Sequence, residues 1–172
     1  MLHALFEQYI SAQQFNSDMP GGQLNLARFY TLLGHGKLAE QAYQHALVLA
    51  PKFLPALLNY ADFYRATGRD PQAKKLLQKA IVIAPDQAPA YHAMGLLLVR
   101  QKQLSESLSY LQKATALQPS TSRYAYVYAV ALESAGQLSA AIKVLEQAAT
   151  RHPSDQQLKS TLMHYHQRNN QQ

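Results

Sequence analysis

The chain has 172 residues, 48% of them hydrophobic, with 11 Tyr, no Trp, and 16 Lys and Arg against 10 Asp and Glu for a formal net charge of +6. That length gives room for one globular domain or a short array of repeated units, and the lack of cysteine excludes disulfides, thiolate metal sites, a cysteine nucleophile and thioether-linked haem within the chain. No apolar run of about eighteen residues offers a membrane span, and the basic residues scatter instead of forming a stripe interleaved with aromatics, so neither membrane insertion nor nucleic-acid binding is expected.

In chain order, Leu5, Tyr9 and Ala12 fall at helical spacing and predict a helix within residues 1–19, with Leu5, Phe6 and Tyr9 along one apolar edge. From there a period of 34 residues governs the chain: Pro51, Pro85, Pro119 and Pro153 recur at that interval, as do Ala46, Ala80, Ala114 and Ala148. Gly34, Gly68 and Gly136 follow the same period, with Lys102 standing where the remaining glycine would be. Units are therefore expected at 20–53, 54–87, 88–121 and 122–155. Each unit reads as two helices. In the second unit Leu57, Tyr60, Ala61 and Tyr64 share one helical face before Gly68, a residue that takes a left-handed turn without steric cost. A second helix then carries Ala73, Leu76, Leu77, Ala80 and Ile81 until Pro85 forbids its continuation. Small residues at fixed positions (Ala27, Ala61, Gly95 and Ala129 in one series) let neighbouring helices approach closely. After Pro153, Ser154 and Asp155 can cap a last helix through about Arg168, with Leu158 and Leu162 inward and Lys159, His166 and Arg168 toward solvent.

The period and the small–large series resemble the tetratricopeptide repeat. The third unit carries the likeness best, with Tyr91-His92-Ala93-Met94-Gly95-Leu96-Leu97-Leu98 followed by Ser107, Leu111, Ala114 and Pro119. The first unit departs from the pattern, having Pro20-Gly21-Gly22-Gln23 where the aromatic would sit, and the fourth has Ala125 there between Tyr124 and Tyr126. The resemblance implies an all-α fold, a right-handed superhelical solenoid of antiparallel helix hairpins. Its parts would be four units, an N-terminal half-unit helix and a C-terminal capping helix over 156–172. The half unit suggests an array cut from a longer protein. More narrowly, Gly95-Leu96-Leu97-Leu98-Val99-Arg100-Gln101, Arg123 to Leu132 and Arg151-His152-Pro153 are similar to the carboxy-terminal repeats of bacterial multihaem cytochrome c proteins. That likeness implies a periplasmic setting, the alternative being the cytoplasm, but no haem chemistry for this chain, which needs no cofactor.

Chemistry-bearing motifs are otherwise missing. The seven histidines have no metal-binding spacing, His164 and His166 diverging on a helix. Gly34-His35-Gly36-Lys37 is a turn between helices rather than a phosphate loop. The ten acids form no arguable acid–base pair. No enzyme is expected. What the family implies instead is a concave surface lined by first helices. Its positions here are Leu24, Asn25, Arg28, Thr31 and Leu32; Leu58, Asn59, Asp62, Arg65 and Ala66; His92, Ala93, Leu96, Val99 and Arg100; and Tyr126, Val127, Val130, Glu133 and Ser134. Asn25 and Asn59 would bind a ligand's backbone or simply water and neighbouring helix. Arg28, Arg65 and Arg100 would attract acids, and Leu96, Val99, Tyr126 and Val130 would grip an apolar side chain, while Tyr128 is expected in the core. The family's carboxylate clamp is not expected, because Leu24, Arg28, Asn59, Pro89 and Ala93 occupy its places. The expected partner is a protein or peptide with acidic and apolar groups; the alternative is self-association, as a homodimer, through Leu5, Phe6 and Tyr9.

Overall fold

The computed structural model describes Ser11 and residues 18–171, which form helices and no strand. Leu5, Phe6 and Tyr9, the expected self-association edge, lie outside the described residues. The chain divides into two compact units, 1–85 and 86–172.

The first unit contains α1 (Pro20–Leu32), α2 (Gly36–Leu49), α3 (Leu54–Ala66) and α4 (Asp70–Ile83). Prolines sit in the first turns of α1, α3 and α4, where the missing N–H has no intrahelical acceptor to lose. The turns between paired helices follow one rule. Gly34 and Gly68 both have φ of +75°, and the next amides, of His35 and Arg69, donate to Tyr30 and Tyr64 carbonyls at 2.9 and 2.8 Å. That geometry satisfies carbonyls the helix end would leave open. Ala27, Ala39, Ala46, Ala73 and Ala80 are fully buried, so the helices close on methyl groups, with Leu57 and Leu77 filling the space between. The unorthodox start of the first unit is accommodated by burying Gly22 and Gln23 instead of an aromatic ring.

The second unit contains α5 (Ala88–Arg100), α6 (Leu104–Leu117), α7 (Ser122–Ser134), α8 (Leu138–Arg151) and α9 (Gln156–Asn169). Lys102 makes the turn that glycine makes elsewhere, at φ of 60°, and Gln103 N–H still donates to Leu98 O at 2.9 Å. Gly95 marks a close helix approach: a Cβ there would stand 2.5 Å from Leu111 Cδ2. Ala125, Ala129, Leu132, Ala141, Ile142, Leu145, Ala148, Leu158 and Tyr165 form one core cluster. Tyr128, expected in the core, is only half-buried against that cluster's edge. α9 is capped by Asp155, whose carboxylate accepts from the Gln157 and Leu158 amides at 3.0 and 3.1 Å. Leu158 and Tyr165 seat it on the cluster. Arg168, expected toward solvent, keeps its side chain 42% exposed and also pairs with Glu133 of α7.

Candidate peptide-binding surface

In the first unit, α1 and α3 present their inner faces side by side and border an open cavity of about 380 Å³. From α1 come Arg28, Thr31 and Leu32, spaced so that residues three and four apart share a face. From α3 come Asn59, Asp62, Arg65 and Ala66. Every one of these is a position that the repeat frame assigned to the concave surface. Tyr43 of α2 and Phe63 of α3 also line the cavity and were not anticipated there. The rings of Tyr43 and Phe63 are 5.6 Å apart, and Tyr43 stacks on Tyr60 at 5.0 Å, so the floor is a packed aromatic layer. Burial pushes the Tyr43 phenol above its ordinary pKa, against the Thr31 hydroxyl and the Arg28 charge, which pull it down.

The polar groups differ in how far they are already engaged. Asp62 and Arg65 form an i,i+3 ion pair at 2.8 Å, which removes most of the attraction Arg65 would exert on a partner's acid. Asn59 Nδ2 donates to the carbonyl of Pro55 at 2.8 Å, so half of its amide is turned to its own helix and the rest is available. Arg28 is exposed and has no carboxylate partner among the described residues. Asn25, half-buried on α1, lies outside the cavity lining. Behind this surface a network joins three elements: Arg69 makes two hydrogen bonds to Glu40, at 2.9 and 2.8 Å, and lies 4.5 Å from the Tyr64 ring centroid. The Tyr64 hydroxyl donates to the same carboxylate at 2.9 Å and is in contact with that of Tyr60. Burial alone would raise the Glu40 carboxyl, but Arg69 and the two phenols outweigh it and hold it below the usual carboxylate range.

In the second unit the expected apolar grip is not gathered into one cavity. Tyr126 and Val127 of α7 line a cavity of about 240 Å³ with Ser122, Arg123, Asp155, Gln157 and Leu158 at the root of α9. Leu96, Val99 and Val130 are half-buried and do not line it, and Arg100 is exposed. His92 departs from the expected groove position: it is 9% exposed, with its ring centroid 4.5 Å from that of Tyr124. A flat imidazole beside a phenol ring gains contact by closing against it, which withdraws it from solvent. Glu133 is likewise committed to Arg168. Among the described residues, no group of three or more His, Asp and Glu could hold a metal ion, and no helix is long and apolar enough to cross a membrane.

A run of helix pairs closing on small residues, with first-helix faces left open, defines a helical repeat protein. Two family models described as tetratricopeptide repeat match residues 52–120 and 92–156, together more than half of the chain, and the chain belongs to that family. No curated protein matches it. Among solved structures, MamA is similar at 20% identity and a TM-score of 0.72, over 86% of this chain and 81% of that one. A thermophilic TPR protein in Thermus thermophilus is similar at 22% identity and a TM-score of 0.74, over 95% and 93%. YrrB, described as a TPR protein with an unusual peptide-binding site, is similar at 18% identity and a TM-score of 0.70, over 94% and 84%. At these identities the likeness establishes the all-α repeat fold. Repeats of this family are protein–protein interaction modules and generally not catalytic.

Proposed function

We propose that this chain holds an extended segment of a partner protein against the inner faces of its first helices. The observation that carries the reading is the cavity between α1 and α3, where seven residues at concave positions of two consecutive repeats converge over an aromatic floor. Burial in the repeat core does not require Arg28, Leu32 or Asp62 there, since all three remain exposed. The peptide-binding site ascribed to YrrB is in keeping with this use of the fold. Partners captured from a lysate and then challenged with variants test it. Asn25→Ala with Asn59→Ala should weaken binding, and Tyr126→Ala should cost about 2 kcal/mol if that ring is an anchor. Outer-face changes such as Lys75→Glu should leave binding intact. The reverse pattern sinks the reading. A periplasmic setting beside a multihaem region rests on the sequence stretches alone; the coding sequence upstream of Met1 tests it, a row of Cys-x-x-Cys-His motifs being the expected result.

A further inference from the structure

We infer that the cavity of the first unit selects a segment with an acidic residue two positions from a large apolar one, a specificity that rests on the groove reading above. The charge argument comes first. The cavity rim holds three ionised side chains, of which Asp62 and Arg65 neutralise each other at 2.8 Å, leaving Arg28 to set a net positive charge. The apolar argument is independent of it. Tyr43 and Phe63, in the floor, are 2% and 5% exposed, whereas Leu32, which lines the same cavity from α1, is 85% exposed and is the large apolar side chain still in water. A ligand side chain entering beside Leu32 removes apolar surface from water on both partners.

The spacing follows from the two together. Arg28 and Leu32 are one turn apart on the same face of α1. In an extended ligand successive side chains point to opposite sides, so the two that meet this face are two residues apart and not adjacent. The remaining amide capacity of Asn59 then faces the ligand's own peptide groups.

The probes are fluorescent nonapeptides, blocked at both ends, with Asp-Ser-Leu, Lys-Ser-Leu or Asp-Ser-Ser at the centre of a Ser/Ala background, titrated against the full chain by anisotropy. The expected result is a preference of roughly fivefold for Asp-Ser-Leu over each control, the size that one solvent-exposed ion pair or one partly covered side chain supplies. Arg28→Glu should reverse the order of the Asp and Lys peptides, and Leu32→Ser should erase the preference for Leu over Ser. Both residues are exposed, and unchanged helical dichroism confirms that the variants fold. No discrimination among the peptides, no binding by the parent, or a preference untouched by both variants overturns the inference. If the peptides ignore Arg28 and Leu32 but are lost with Tyr126→Ala, this pocket assignment fails while the groove reading stands. If a captured partner ignores the first-helix variants of both units, the groove reading itself falls.

Discussion

At the scale of single residues, Lys102 and Glu40 show how context overrides type. Lys102 sits at a turn whose counterparts are Gly34, Gly68 and Gly136, all at positive φ. A left-handed conformation costs a side-chain-bearing residue about 1–2 kcal/mol, while glycine adds unfolded-chain entropy worth about 0.5–1 kcal/mol. Lys102→Gly should therefore stabilise the chain by roughly 0.5–1 kcal/mol, visible as a higher midpoint in urea with an unchanged slope. Glu40 works through linkage. Its carboxyl is held below its ordinary range in the folded chain, so the unfolded chain takes up the proton first as pH falls. Its contribution is fully present above the ordinary carboxylate range and is lost as pH drops through the lowered folded value. Glu40→Gln should cost on the order of 1–3 kcal/mol at neutral pH, because charge-assisted bonds from Arg69 go with the charge. The cost should shrink in acid. Denaturation curves at neutral pH and near pH 3 check this, and a pH-independent difference would refute it.

At the scale of helices, the structure turns on close approach at alanine. Ala114, fully buried on α6, has Leu111 one turn before it, itself pressed against Gly95 of α5. Ala114→Leu should overpack this crossing and cost about 1–3 kcal/mol, read as a lower urea midpoint. The helix boundaries were legible because proline and glycine act locally: Pro85 or Gly68 ends a helix whatever surrounds it. The floor of the cavity was not legible. Tyr43 stands where the other units have Leu77, Leu111 and Leu145, all core residues, so its sequence position says core and nothing distinguishes a core ring that also faces a cavity. Arg168 and Glu133 are 35 residues apart, and Glu40 and Arg69 are 29 apart, so each pairing depends on how hairpins pack and not on any spacing within a helix. The Asp62–Arg65 pair, by contrast, has i,i+3 spacing and was readable as self-neutralising, yet the concave frame assigned both residues to a partner.

At the scale of the molecule, charge and site chemistry point the same way. The chain carries +6 overall, and in the first unit the acids Glu40 and Asp62 are tied up by arginines while Lys37, Lys52, Lys75 and Lys79 stand exposed. Such a field acts at long range on any acidic segment, before contact forms, whereas the cavity acts only at contact. The two contributions therefore separate in the rates. For an acidic segment, raising salt from about 50 to about 500 mM shortens the screening length from roughly 14 to roughly 4 Å and should lower the association rate by about tenfold. The dissociation rate should change far less, because a ligand side chain entering beside Leu32 and Phe63, as proposed, would be held by apolar contact that salt does not screen. Lys37→Glu with Lys52→Glu, both exposed and outside the cavity, should slow association and leave dissociation alone; Leu32→Ser should speed dissociation and leave association alone. Stopped-flow anisotropy with the Asp-Ser-Leu peptide measures both rates. A salt effect falling mainly on dissociation would mean that the ion pair to Arg28, and not apolar burial, holds the bound segment in place.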